Sequence, residues 1–418
     1  MAKFEIKEEF YLDGKPFMIL SGAIQYFRLH PDQWRDTLYN LKALGFNTVE
    51  TYIPWALHEP QEGQFQAEGM LDFEAYFKLV EEMGLYLIVR PTPYICAEFD
   101  FGGLPAWLLR YPSMRLRVNH PLFLEKVSHF YDWLFPKLLP YQSDQGGPIL
   151  MMQVENEYGS YAEDKAYMRS IAQMMKVRGV TVPLFTSDGT WIEALESGTL
   201  IEDDIFVTGN FGSQPKENTD NLRAFMERYG KKWPLMCTEF WDGWFSRWSE
   251  EIVRREAEDL AQDVKEMLQL GSMNLFLLRG GTNFGFISGC SARKTKDLPQ
   301  ITSYDFDAPI TEWGQPTEKY YAVQRVTHEV FPELEQMEQA KAYGSFPLLG
   351  TANLLDVAAD ITEEILLDYP QPMEQIGQNH GYILYRSDIK NQYHEERLKA
   401  LETHDRCHFY VNQEHLAT

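Results

Sequence analysis

The sequence predicts a (β/α)₈ TIM barrel followed by a partial all-β accessory domain. Eight short apolar runs alternate with longer helical stretches, which is typical of β/α units with a parallel sheet that closes into a barrel. Several runs, such as LYLIVR and PILMMQV, are almost continuously apolar, as expected of strands buried on both faces. The chain has 418 residues, more than a barrel of roughly 250–350 residues needs, and this predicts an appendage.

The pattern predicts each barrel element in chain order. The predicted strands are Phe17–Gly22, Phe46–Glu50, Leu85–Arg90, Pro148–Asn156, Val182–Asp188, Ile205–Phe211, Pro234–Trp241 and Asn274–Gly281. The predicted helices are Pro31–Leu44, Leu71–Met83, Pro121–Leu139, Lys165–Arg178, Thr219–Tyr229, Glu250–Leu270 and Thr317–Val330. The segment Trp191–Ser197 is too short for more than two helical turns. A doubly wound open sheet is the alternative, but no GxGxxG or P-loop motif follows the first strand.

The character of the chain changes after residue 330. We therefore expect a catalytic barrel over residues 1–330 and a connector with an incomplete β-rich domain over 331–418. The connector is the polar run PELEQMEQAKAYG, and FPLLG, GYILYRSDI and RCHFYVNQ then resemble strands separated by turns. Because the sequence stops at HLAT, directly after a predicted strand, we expect the last domain to be truncated.

Composition limits the partners. Apolar residues make up 44% of the chain and its formal charge is −24, which disfavours nucleic acids, anionic membranes and polyanionic substrates but suits a neutral small molecule. The N-terminus lacks the apolar region of a secretory signal and no run approaches a membrane span, so we expect a cytoplasmic protein. The four scattered cysteines lack metal-site spacing, so no metal or other cofactor is predicted. Assembly into a homo-oligomer is left open.

Reactive side chains of parallel barrels lie at the carboxyl ends of the strands. Here carboxylates and amides predominate at those ends, and no serine–histidine–aspartate order or Schiff-base lysine is found. Such a set suits glycoside hydrolysis, in which two carboxyl groups flank a sugar ring. The strand-end residues are Glu50, Arg90, Glu155, Asn156, Glu157, Asp188, Asn210, Glu239 and Asn283.

Two strand ends carry the strongest candidates. The fourth predicted strand ends in QVENEYG and contains Glu157, and the seventh ends in TEFWDGW and contains Glu239. Acids on strands four and seven lie on opposite sides of a barrel mouth. A single glutamate at a strand end is more commonly a solvated acid or a helix cap, but this pairing favours a catalytic role.

Residues 10–330 resemble the catalytic domain of glycoside hydrolase family 35, the β-galactosidases. The similarity rests on FYLDGKPF, SGAIQYFR, ETYIPWALHEP, RPTPYICAEFDFGGLPAWLL, QVENEYGSY, TEFWDGW, GGTNFGF and TSYDFDAPI, in that order. The resemblance implies that Glu157 is the acid/base and Glu239 the nucleophile of a retaining, exo-acting enzyme. It also implies sugar contacts for a further set of residues. These are Tyr52, Ala97, Glu98, Asn156, Trp244 and the position of Phe306.

The chemistry of these residues agrees with that assignment. A charged Glu239 beside a partly desolvated Glu157 should keep the proton on Glu157, and Asn156 can donate to the sugar 2-hydroxyl. Glu98 and Tyr52 can read ring hydroxyls, and Trp244 can pack on the apolar face of galactose. Tyr52 and Trp244 could instead serve only to pack the barrel rim.

Three positions depart from the family pattern. Phe276 and Phe306 stand where many members have tyrosine, and Arg279 replaces a histidine or an apolar residue. If Arg279 points into the mouth, it would favour ionised carboxylates and undermine the proton on Glu157. These departures keep two alternatives open: a weakened or silent galactose-binding barrel, and another exo-glycosidase of the same clan.

Overall fold

Eight parallel strands close into a barrel, which confirms the predicted fold class. The computed structural model describes residues 2–91, 93–294, 296–330, 342, 344–388, 399–401, 403 and 406–418. The barrel strands are β4 (Leu20–Ile24), β5 (Thr48–Tyr52), β6 (Tyr86–Arg90), β7 (Ile149–Gln153), β8 (Leu184–Gly189), β9 (Phe206–Asn210), β10 (Met236–Trp241) and β11 (Ser272–Arg279). The barrel closes because β11 pairs in parallel with β4. Each of the eight strands overlaps its predicted range.

Helices surround the barrel. They are α1 (Trp34–Ala43), α2 (Trp55–His58), α3 (Phe73–Glu82), α4 (Pro121–Leu138), α5 (Lys165–Val177), α6 (Ile192–Gly198), α7 (Pro215–Arg228), α8 (Ala257–Leu270) and α9 (Glu318–Val330). Two predicted starts were wrong. Helix α7 begins four residues earlier than Thr219, because Pro215 is well suited to the first helical position. Helix α8 begins seven residues later than Glu250, because Arg254 and Arg255 reach across to other loops.

A small antiparallel sheet closes the amino-terminal end of the barrel. It comprises β1 (Phe4–Ile6), β2 (Phe10–Leu12) and β3 (Lys15–Pro16). Phe4 and Phe10 pack with apolar residues of the barrel strands, and the ring of Phe10 meets that of Phe206 edge to face at 5.5 Å. Burial of this end leaves the carboxyl ends of the strands as the open mouth.

The region after the barrel matches the prediction only in part. Strands β14 (Phe409–Val411) and β15 (Glu414–Ala417) pair within and beyond the predicted RCHFYVNQ segment. The strand expected at 346–350 was wrong, and so was the strand expected at 381–389 over its described residues 381–388, because neither segment pairs with another strand there. Helix α10 (Leu354–Ile361) was not predicted. Residue 389 and the connector from residue 331 onward, apart from residues 342 and 344, lie outside the described residues, so the domain division stays a prediction.

A further hairpin follows the last barrel strand, with β12 (Cys290–Arg293) antiparallel to β13 (Lys296–Pro299). Within the described ranges, no helix combines the length and apolar composition that crossing a bilayer requires.

Candidate active site

The two candidate carboxyl groups lie at the barrel mouth, on strand ends that the fold bends locally. Glu239 lies in β10, whose pairing register with β9 shifts between Cys237 and Glu239. Such an irregularity re-aims a side chain at the end of a strand. Glu157 follows β7 in a left-handed backbone conformation (φ 43°, ψ 39°), which few residues other than glycine adopt. Strained backbone of this kind is often found at functional sites.

Glu239 is surrounded by hydrogen-bond donors. Its Oε1 accepts from the Tyr52 hydroxyl at 2.9 Å and from Arg90 Nη2 at 2.6 Å, and its Oε2 accepts from Trp241 Nε1 at 3.2 Å. Only 7% of its side chain is exposed. Three donors, one of them a guanidinium, therefore fix the orientation of this carboxyl group.

Glu157 has the opposite environment. Burial, followed by the negative charge of Glu239, raises its pKa to about 7. Asn210 Nδ2 donates to its Oε1 at 2.9 Å and, with Arg90, opposes that rise. Two carboxyl groups thus share one mouth in different surroundings, which is the arrangement that separates an acid from a nucleophile.

Arg90 is the centre of the hydrogen-bond network below the mouth. It is fully buried at the end of β6, and besides Glu239 it contacts Asn156 Oδ1 at 2.5 Å, Gln153 and, at 3.6 Å, Glu50 Oε1. Its guanidinium also lies 4.1 Å from the centre of the Tyr52 ring. Sequence analysis located Arg90 at a strand end but assigned it no role. The available signal was the single positively charged residue at the end of the apolar run LYLIVR, since a buried arginine requires anionic partners.

Tyr52 and Asn156, the predicted sugar contacts on β5 and after β7, lie close to Glu239. The Asn156 amide oxygen accepts a hydrogen bond from Arg90, which can only donate. The Nδ2 of Asn156 is therefore directed away from that network. Tyr52 is fully buried, and its hydroxyl lies within reach of both Glu239 Oε1 and Asn156 Oδ1. It therefore does more than pack the rim.

Glu98 and Ala97 lie in a loop after β6 that a second buried arginine holds. Arg28 donates to the Ala97 carbonyl at 2.6 Å and stacks on Tyr304, whose hydroxyl donates to Glu98 Oε2. Burial raises the pKa of Glu98 to about 7, against the opposing effects of Tyr304 and Arg28. Sequence reasoning missed both supporting residues, although SGAIQYFR and TSYDFDAPI contain them.

An aromatic wall completes the mouth. Trp244 meets Trp241 edge to face at 5.4 Å and lies 6.2 Å from the ring of Phe306. The Trp244 amide donates to the Phe306 carbonyl at 2.9 Å, and a side chain at Gly243 would collide with that carbonyl. Buried Lys319 binds both loops, donating to the Asp242 carbonyl at 2.8 Å and to Asp307. The wall is therefore fixed from beneath.

The family model for glycosyl hydrolases family 35 matches residues 9–330. The chain belongs to this family. It is 37% identical to "Beta-galactosidase 17" of Arabidopsis thaliana over 98% of the chain and 61% of that protein. It is 40% identical to "Beta-galactosidase" of Xanthomonas manihotis over 91% of the chain and 64% of that protein. The chain thus spans about three-fifths of the length of these curated relatives.

A solved structure supports the fold. The "beta-galactosidase from the psychrophilic Marinomonas ef1" superposes with a TM-score of 0.55 and 12% identity, covering 75% of this chain and 60% of that one. At this identity, the similarity concerns the barrel architecture alone.

Of the three departures from the pattern of family 35, Arg279 is directed away from the mouth. Its guanidinium donates to Thr37 Oγ1 of helix α1 at 2.7 Å and to the Glu312 carbonyl at 2.8 Å. It therefore does not bind the catalytic candidates, and the outward alternative left open by the sequence is the correct one. Phe306 and Phe276 remain departures inside the mouth, with their rings edge to face at 5.7 Å.

Proposed function

We propose that this member of family 35 is an exo-acting, retaining β-galactosidase that removes terminal β-linked galactose from oligosaccharides or glycans. The observation that carries the proposal is the contrast between Glu239, which three donors surround, and Glu157, whose pKa rises to about 7. The galactoside preference is supported by the names of the relatives. A neutral sugar is also compatible with the chain's net charge of −24.

The geometry supports a two-step reaction. Glu239 attacks the anomeric carbon while Glu157 gives its proton to the leaving oxygen, which breaks the glycosidic bond and forms a glycosyl ester on Glu239. Esterification removes the charge of Glu239, a main cause of the raised pKa of Glu157, so Glu157 can then take a proton from water. The water attacks the same carbon and regenerates Glu239. Asn156 Nδ2 is available to the sugar 2-hydroxyl throughout.

The direct test is hydrolysis of a nitrophenyl β-galactoside, compared with the β-glucoside and followed by NMR of the first sugar released. We expect galactoside hydrolysis with β-galactose as the first product. Appearance of the α-anomer would contradict retention, and a faster glucoside would favour another exo-glycosidase of the clan.

Glu98→Gln tests the galactose specificity. Galactose differs from glucose only in its axial 4-hydroxyl, and a site built to hydrogen-bond a hydroxyl discriminates strongly against its displacement. Tyr304 binds Oε2 of Glu98, which leaves Oε1 for the sugar. We expect kcat/KM for the galactoside to fall about 10- to 100-fold, as loss of a charge-assisted hydrogen bond does, and that for the glucoside far less. An equal fall for both would mean that Glu98 only balances charge.

The pH dependence of kcat/KM tests whether Glu157 is the general acid. Since Glu157 must be protonated to act, kcat/KM should fall as the pH rises through about 7. Asn210→Ala removes a donor that favours the ionised form, so we expect the basic limb to move to higher pH. A dinitrophenyl galactoside, whose leaving group needs no proton, should lack the limb and is the control. A limb that Asn210→Ala leaves in place would point to another group.

Phe306→Tyr tests the missing phenol. We expect the added hydroxyl to raise kcat/KM by up to about tenfold, as one new hydrogen bond near the nucleophile allows. Phe346→Tyr, at a side chain that is 81% exposed, is the matched control. A rate unchanged within error would show that this hydroxyl is irrelevant here.

A silent galactose-binding barrel is the second candidate, favoured by Phe276 and Phe306 in the mouth. If no β-galactoside is cleaved, titration with galactose followed by calorimetry decides whether the site still binds the sugar. The cytoplasmic location and a homo-oligomeric state stay predictions.

A further inference from the structure

A cleft of about 760 Å³ opens beside the two carboxyl groups. It lies between the loops that follow β8, β9 and β10 and helix α8. Asn210, which donates to Glu157, and Trp241, which donates to Glu239, both line it. The cleft is therefore adjacent to the candidate catalytic pair.

The cleft lies on the side of the site where the leaving group departs. Of the residues assigned to galactose, Tyr52, Ala97 and Glu98 follow β5 and β6 and do not line it, whereas Trp244, after β10, lies at its edge. Strands β9 and β10, whose loops form the cleft, lie across the barrel from β5 and β6. The connecting residue is Asn210, which touches the carboxyl group that protonates the leaving oxygen. A galactosyl unit over β5 and β6 would thus direct its bonded partner into the cleft.

Trp191 lies at the cleft and has no part in the reaction described above. It follows β8 and remains 52% exposed, so that much of the indole is open to a ligand in the cleft. A side chain at Gly189 would collide with its ring, so the glycine allows the indole to lie flat against the end of the strand. Next to it, Thr190 donates to Asn218, which adds polar groups to the same wall.

The volume and charge of the cleft indicate its ligand. Pockets of about 300–1,000 Å³ bury drug-sized molecules, so this one is larger than a single leaving alcohol requires. Its charged lining consists of Arg255, which is paired with Asp263 at 2.5 Å, and Asp259. An excess of acid disfavours a sialylated or sulfated ligand.

We propose that this cleft binds the leaving part of a neutral oligosaccharide, and that the Trp191 indole stacks on a sugar beyond the one bonded to galactose. The inference rests on the proposed β-galactosidase function and makes it specific: the preferred substrates carry at least two sugars after the terminal galactose. Trp191 then determines preference for chain length rather than the chemistry at the anomeric carbon.

The test uses neutral β-galactosides whose leaving groups are nitrophenol, one sugar, two sugars and three sugars. For Trp191→Ala we expect kcat/KM to fall about five- to tenfold, through KM, for leaving groups of two and three sugars. Values for the nitrophenyl and one-sugar substrates should stay within twofold of the unmodified chain. Trp191→Phe should restore most of the loss, since it keeps an aromatic face.

Trp313→Ala is the matched control, because Trp313 is 64% exposed and does not line the cleft. It should leave all four substrates unaffected, and thermal melting checks that each variant is folded. An equal loss on all substrates, or no loss on any, would overturn the role of Trp191. These results differ from failure of the proposed function, in which the unmodified chain would cleave none of the four galactosides.

Discussion

Glu239→Gly is expected to lower turnover of a β-galactoside by at least about 10³-fold, and added azide is expected to restore turnover with α-galactosyl azide as product. Without its nucleophile the enzyme leaves a space on the face opposite the leaving group, where azide can attack once with inversion. Glu157→Gly should instead yield β-galactosyl azide. There Glu239 still forms the glycosyl ester, and azide replaces the water that Glu157 would have activated.

The configuration of the two azides, read by NMR, decides the roles. Exchange of the two products between the variants would reverse the assignment. A substrate with a dinitrophenyl leaving group serves as the control for Glu157→Gly, because it needs no proton to form the ester. Retention also requires carboxyl groups about 5–5.5 Å apart, whereas a separation near 8 Å would favour inversion. A crystal structure with galactose bound would measure this separation.

The barrel and the residues at its mouth could be predicted from the sequence because both follow local patterns. Alternating apolar runs indicate parallel strands, and strand ends locate the mouth, so the sequence alone places Glu157, Glu239 and Tyr52 at the mouth. The roles of the two acids came from resemblance to the family. Contacts within the site add the physical reason, which is the unequal sharing of donors between them.

What the sequence could not supply were contacts between distant segments. Arg279 lies at the end of β11, where strand alternation does not say whether a side chain enters the mouth, and its partners come from α1 and from a loop 33 residues further along. Arg255 likewise falls within the helix predicted from the sequence, yet it binds the Gly212 and Trp241 carbonyls and lies outside α8. Such long-range pairs carry no periodic signal.

Arg90 shows how much of the site depends on a contact of this kind. Its guanidinium contacts Glu239, Asn156, Gln153 and Glu50. Burial raises the pKa of Glu50 to about 7, and the charge of Arg90 opposes that rise. Removing one partner of a buried ion pair typically costs about 3–5 kcal/mol because the other charge is left uncompensated. Arg90→Met should therefore lower the free energy of unfolding by about that amount.

The same variant should also lower activity. Arg90 Nη2 donates to Glu239 Oε1 at 2.6 Å and so positions the carboxylate that attacks the anomeric carbon. Without that donor, kcat/KM at the optimum pH should fall about 10³-fold. Arg90→Lys keeps the charge without the planar fork, so its kcat/KM should lie between those of Arg90→Met and the unmodified chain.

Arg117→Met separates this effect from simple loss of stability. Arg117 is also buried, and it binds Glu155 through two hydrogen bonds of 3.0 and 2.9 Å and the Asn156 carbonyl at 3.0 Å, but its ion pair is with Glu155 and not with Glu239. We expect a similar fall in unfolding free energy, measured by urea denaturation, with a much smaller fall in kcat/KM. If Arg90→Met and Arg117→Met lowered both stability and kcat/KM alike, Arg90 would be a structural residue and Glu239 would have to be positioned by Tyr52 and Trp241.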